Sequence, residues 1–311
     1  MQVGFASLVG VEPVPFPELV RRAGESGLAT IEVNVGPGYP RIGDAAYPGH
    51  LDLRAIVADG PGPVAEALAA HGVTISALAP MLNALTPDAR LRAERVAALR
   101  LALDACAALG VSTLVTYAGS AFGMYFQGLP GTAPDHPSSR LRENLAVFRE
   151  VYAPLAAHAE ARGVRIAFET APRGGGEGNL AHSPDLWDRL FDAVPSPALG
   201  LSFDPSHLVW LQIPDAPGVI RRYGPRIFHV DGKDCEIMPT RLAGQGILGN
   251  TWWRYRLPGD GALDWPAIVA ALREVGYTGA IDIENEDPLA PGLAGVARAA
   301  AYLGRVMSAE R

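Results

Sequence analysis

"AALGVSTLVTYAG", residues 107–119, decides the fold of this chain. An alanine-rich helical run stops at Gly110, and a β-branched segment starts within three residues. Glycine just past a helix closes its last turn in the left-handed conformation, and the valines and threonines that follow are a strand signal. The phrase returns as "ESGLATIEVNV" (25–35), "AAHGVTISALAP" (69–80), "EARGVRIAFETAP" (160–172) and "EVGYTGAIDIENED" (274–287). With "MQVGFAS" (1–7), "PALGLSFDP" (197–205) and "PRIFHVDGKD" (225–234) it gives eight predicted strands, at 2–7, 28–35, 73–80, 111–118, 164–170, 198–204, 226–231 and 279–284. Amphipathic or alanine-rich runs predict helices at 15–26, 62–71, 88–109, 139–162, 183–193, 214–223, 264–275 and 294–307. One strand and one helix per roughly 39 residues predict an α/β chain, a (β/α)8 TIM barrel in a single domain spanning 1–311. A doubly wound open sheet would show a glycine-rich phosphate turn after its first strand, and "FASLVGVEP" (5–13) is not one.

Composition narrows the function. The 311 residues are 49% hydrophobic and 19% charged, as in ordinary globular proteins. A net charge of −7 and a pI near 5.5 argue against nucleic acid as a partner, which needs a basic surface. No run of about 18 apolar residues predicts a membrane span, and the N-terminus reads as a strand rather than a signal peptide. Two cysteines in so long a chain make no disulfide framework, so a reducing cytoplasm is the expected compartment. Cys106 reads as helix packing, and Cys235 lies beside a rim residue. A homo-oligomer stays open.

In a barrel, chemistry gathers at the C-terminal ends of the strands. Those ends carry Glu169 with Thr170, then Asp204, then His229 with Asp231, then Glu284. Alternation along each strand places large apolar residues on one face and small or acidic ones on the other. Leu199, Leu201 and Phe203 thus oppose Gly200, Ser202 and Asp204, while Ile281 and Ile283 oppose Asp282 and Glu284. Carboxylates crowded toward a barrel axis repel and lose hydration, costing several kcal/mol each. A divalent cation removes that cost. Three carboxylates and one imidazole suit a single Mn²⁺, foremost, or Mg²⁺, Co²⁺ or Zn²⁺. Pro205 turns the chain after Asp204, and His207 is carried back over the same mouth.

The stretches "IAFETAP" (166–172), "LSFDPSHL" (201–208), "FHVDGKD" (228–234) and "IDIENED" (281–287) resemble the metal-site strands of the xylose-isomerase-like TIM-barrel superfamily, the sugar phosphate isomerases and epimerases. The resemblance spans the whole chain. It implies Glu169, Asp204, His229 and Glu284 as metal ligands, Glu169 and Glu284 as acid and base, and His207 on the substrate. The run "GQGILGNTWWRYRLPGDGALDW" (244–265) resembles one branch of that superfamily. Ketose 3-epimerases place an arginine shortly after the metal histidine. This chain has Lys233 there, so substrate identity does not carry over.

Lys233 is the only lysine among 26 basic residues. It is expected either to contact substrate or a developing oxyanion, or to form a salt bridge with Asp231 or Asp234. Glu32 is expected to point inward from the second strand, toward a substrate hydroxyl or a polar neighbour. The segment around 235–260 is the expected lid, with Trp252 and Trp253 either stacking on a sugar or packing on another subunit. The glycine-rich stretch 172–179 is expected to be a mobile rim. Together these readings predict a metal-dependent isomerase or epimerase of a small sugar or polyol, working through a cis-enediolate. The alternatives are a lyase or dehydratase eliminating from a keto-sugar, keto-glycoside or inosose, and, remotely, an abasic-site endonuclease. The last needs histidines that strands three and four lack.

Overall fold

Helix termination repeats in space as it does in sequence. In a computed structural model, described over residues 1–42, 48–122, 140–174 and 177–309, the helix Ala89–Leu109 ends at Gly110 with φ 69°. Gly110 donates its N–H to the Ala107 carbonyl, and Val111 donates to that of Cys106 at 2.9 Å. The helix Leu141–Arg162 ends the same way, with Gly163 at φ 66° and Val164 donating to Ala159 at 3.0 Å. Such a motif satisfies the last carbonyls and aims the chain back along the helix into a strand.

Eight strands form a closed barrel: β1 Gln2–Ala6, β2 Thr30–Asn34, β3 Thr74–Ala79, β4 Thr113–Thr116, β5 Arg165–Glu169, β6 Leu199–Phe203, β7 Ile227–Asp231 and β8 Ala280–Ile283. Each neighbours the strand before and after it in sequence, and β8 closes on β1. Pairing is parallel, with Gly4 opposite both Asp282 and Thr30, and Asp282 opposite Asp231. Gly4 is obligatory by space: a Cβ there would lie 2.0 Å from the Thr30 hydroxyl and 2.1 Å from an Asp282 carboxylate oxygen. Contacts gather the chain into two compact units. One comprises Met1–Val33, Pro63–Ser76 and Phe203–Arg311, and the other Asn34–Gly62 and Ala77–Ser202.

Eleven helices are described, three of them outside the predicted set: Leu53–Asp59, Pro205–Trp210 and Pro239–Gln245. The second of these matters most. Asp204, predicted to end a strand before a turn, instead caps this helix by accepting the Ser206 N–H at 2.8 Å, and Pro205 occupies the first turn. The predicted lid segment contains an antiparallel hairpin, Asp234–Ile237 paired with Trp253–Arg256. Within 172–179, Arg173–Gly174 pairs with Glu177–Gly178, and residues 175–176 lie outside the described residues.

Candidate active site

Three strand ends of the first unit carry the charged side chains. Asp204 follows β6, Asp231 closes β7, and Glu284 follows β8. Lys233, two residues past β7, is 2% exposed and places its Nζ 2.9 Å from Asp204 Oδ2 and 2.9 Å from Glu286 Oε2. The same ammonium donates to Glu284 Oε2. Its expected salt-bridge partners were Asp231 or Asp234, and neither is in this set. Asp234 instead holds the hairpin, accepting N–H bonds from Cys235, Leu263 and the Trp265 indole.

The acids around this ammonium differ in proton affinity. Burial alone would raise Asp204, but the charges of His207 and Lys233 hold it well below the usual carboxylate range. Glu284 moves the other way. Burial, with the carboxylates of Glu286, Asp231 and Asp204, pushes its pKa up against the pull of Lys233. Two carboxyls with opposed affinities in one site are the usual basis for separate acid and base roles.

His207 rises from the first turn of the helix after Asp204, its Nε2 3.0 Å from Asp204 Oδ2. Its Nδ1 and the Tyr255 hydroxyl share a hydrogen bond of 3.0 Å. Tyr255 also presents its ring to Lys233 Nζ, 4.4 Å from the centroid, a distance at which a cation is attracted by the π face. Alternation along Trp253–Arg256 explains the rest of this wall. Trp253 stacks on Trp210 at 4.5 Å and 2°, while Arg254 and Arg256 both reach Glu236 at 2.8 Å. Trp253 is half-buried, whereas Trp252 is 1% exposed and has no face to offer a ligand.

His229 and Glu32 meet each other. His229 Nε2 lies 2.7 Å from Glu32 Oε2, 3.5 Å from Asp282 Oδ2 and 3.8 Å from Asp231 Oδ1. Glu32 Oε2 and His229 Nε2 are buried without an angle that makes a hydrogen bond between them. With Asp231 they form a trio whose ligand atoms all lie within 4.8 Å of one another, a spacing that suits a metal ion. Burial opposes the charged ring, yet Glu32, Asp282 and Asp231 lift the His229 pKa to about 10. Asp282 accepts from Thr30 Oγ1 at 2.6 Å and from Ser76 Oγ. Glu169 ends β5 in the other unit, buried, where the Asn179 amide donates to its carbonyl at 2.8 Å.

Of the residues singled out in the sequence, the fold gathers Asp204, Glu284, Lys233 and His207, and it sets beside them Glu286, Tyr255 and Trp210, which the sequence reading did not single out. For Glu286 a signal existed. It stands two residues beyond Glu284 in "ENED", the same interval that separates Asp282 from Glu284.

Relatives agree with this architecture. The uncharacterized protein YfiH of Bacillus subtilis (strain 168) is 27% identical over 297 residues, 88% of this chain and 89% of its own. The inosose dehydratase of Lacticaseibacillus casei is 34% identical over 106 residues, 32% of this chain and 35% of its own. The structure of L-ribulose 3-epimerase superposes with a TM-score of 0.69 at 18% identity, covering 98% of this chain and 94% of that one. The IOLI protein with a bound zinc atom gives 0.68 at 18% identity, covering 99% and 98%. These two likenesses speak for the fold. A model of the family described as "Xylose isomerase-like TIM barrel" matches residues 20–306, and the chain belongs to that family.

Proposed function

We propose that this protein is a divalent-metal-dependent isomerase or epimerase of a small sugar or polyol. The observation that carries the reading is the convergence of Asp204 and Glu284 on one cation, the Lys233 ammonium, at the strand ends. Carboxylates already aimed at a shared positive charge fit a divalent ion as well, and Asp204 and Glu284 would hold it. Bound there, the ion would supply Lewis acidity that polarises a carbonyl and acidifies the neighbouring C–H.

The chain's own residues account for the remaining steps. Glu284, at the strand end beside Lys233, exchanges a proton with the carbon next to the carbonyl. Glu169 is proposed as the second proton carrier, from the family resemblance of "IAFETAP". Return to the opposite face epimerises, and return to the adjacent carbon isomerises. Lys233 steadies the developing oxyanion, and His207 is held toward the substrate by Tyr255. Trp253, stacked on Trp210, offers an apolar wall to a sugar ring.

The match to an inosose dehydratase favours a second reading, in which the same enediolate expels a β-leaving group. One experiment addresses both. The protein is incubated with ketoses, keto-glycosides and inososes in D₂O with Mn²⁺, and products are followed by NMR. Deuterium at the carbon beside the carbonyl, lost with EDTA and in Glu284→Gln, is the expected result. An epimer or isomer supports the first reading, and an unsaturated product supports the second. No exchange with any of these substrates at saturating Mn²⁺ would overturn both.

A further inference from the structure

A lysine ammonium has three N–H groups, and those of Lys233 face three carboxylates. Asp204 Oδ2 and Glu286 Oε2 each lie 2.9 Å from Nζ, and Glu284 Oε2 completes the set. Asp204 and Glu284 are also the acids that would hold a divalent ion. The ion and the ammonium therefore contend for the same oxygens. Asp204 cannot turn to serve both, because its Oδ1 accepts the Ser206 N–H and its Oδ2 is the atom facing Lys233. Lys233 is buried, so water does not replace lost partners. A buried ammonium stripped of its acids is costly.

Glu286 is the exposed member of the three, and its place is built. Asn285, just before it, donates to the Ala290 and Gly292 carbonyls at 3.0 and 3.1 Å. Asp287, just after it, accepts from Arg256 Nε at 2.9 Å and from the Leu289 N–H at 2.8 Å. The backbone between these anchors is pinned, with the Glu286 carboxylate on Lys233. The Tyr255 ring, 4.4 Å from Nζ, adds a face that attracts the same cation.

We propose that Glu286 is a positioning residue for Lys233: with the Tyr255 ring it keeps the ammonium in place when Asp204 and Glu284 are committed to a divalent ion. The inference rests on the metal-dependent reading above. Without Glu286 the ammonium has only the two acids that would hold the ion, and Lys233 becomes a competitor of the metal.

The test is Mn²⁺ binding to the purified full-length chain, read from the EPR signal of free Mn²⁺, in wild type, Glu286→Gln, Lys233→Met and the double variant. Glu286→Gln is expected to weaken binding about tenfold. In the Lys233→Met background, with no ammonium to hold, the same change should alter binding by no more than about threefold, the signature of two coupled residues. An equal fall in both backgrounds overturns the proposal, because Glu286 would then act on the ion directly. So does an unchanged affinity in Glu286→Gln. A second measurement leaves Lys233 intact. As the only lysine of the chain, it gives a single resonance after labelling with [¹³Cε]-lysine. At saturating Mg²⁺ that signal should stay distinct from free lysine in the wild type and move to the free-lysine position in Glu286→Gln. The same position in both proteins overturns the proposal. Failure of the wild type to bind Mn²⁺, Mg²⁺, Co²⁺ or Zn²⁺ would overturn the metal-dependent reading together with this one, whereas intact binding with equal falls overturns this one alone.

Discussion

Lys233 shows what a single residue discloses and what it hides. Its rarity was legible, since a chain that uses arginine for every other side-chain cation keeps one lysine just past β7. Its partners were not, because Asp204 and Glu284 are brought to it by strand neighbours far away in sequence. Local spacing suggested Asp231 and Asp234 instead. A fully buried ammonium among three carboxylates is expensive to remove, since each acid would face the others without a counter-charge. Breaking a buried pair costs about 3–5 kcal/mol. Glu284 and Glu286 keep some water contact, so the lower end applies. Lys233→Met is therefore expected to lose about 3 kcal/mol in EDTA, by urea denaturation, and to regain part of it with Mn²⁺. Lys233→Arg keeps the charge but adds a rigid fork, and kcat/KM should fall tenfold or more. Near-normal stability and kinetics in both variants would reduce Lys233 to a peripheral ion pair, worth about 0–1 kcal/mol.

At the scale of elements, the strands were readable and the segment after β7 was not. All eight barrel strands fall inside their predicted spans, five of them because a helix-ending glycine followed by β-rich residues leaves few alternatives. Asp204-Pro205 signals a turn and a helix start equally well, so the helix Pro205–Trp210 went unread. The hairpin was hidden for another reason. Its strands are 15 residues apart, with the helix Pro239–Gln245 between them, and only their register reveals that Cys235 faces Tyr255. Asp234 anchors the hairpin base by accepting from Cys235 N–H, Leu263 N–H and the Trp265 indole at 2.8–3.1 Å. Asp234→Ala leaves these donors without an acceptor, at about 1–3 kcal/mol for each one that stays buried. The expected outcome is a destabilisation of about 3 kcal/mol and a rise in KM, because the hairpin also carries Trp253 and Tyr255. An unchanged melting temperature would show that the hairpin holds without this anchor.

At the scale of the whole molecule, the barrel was legible because one local phrase repeats until the sheet must close. The surroundings of His229 were less so, since Glu32 and Asp282 reach it from β2 and β8, partners no local pattern names. The same arrangement makes the fold's stability responsive to cation. A chain of net charge −7 that gathers Asp204, Glu284 and Glu286 around one ammonium carries more negative charge there than Lys233 can neutralise. An ion that binds only the folded state stabilises it by RT ln(1 + [L]/Kd), about 2.7 kcal/mol at a hundredfold excess over Kd. For a large domain this is a rise in melting temperature of roughly 5 °C. Mn²⁺ should therefore raise the melting temperature of the wild type, reversibly with EDTA. Asp204→Asn and Glu284→Gln should show little rise. Differential scanning calorimetry decides the matter: an undiminished rise in Asp204→Asn would mean that the stabilising ion binds elsewhere on the chain.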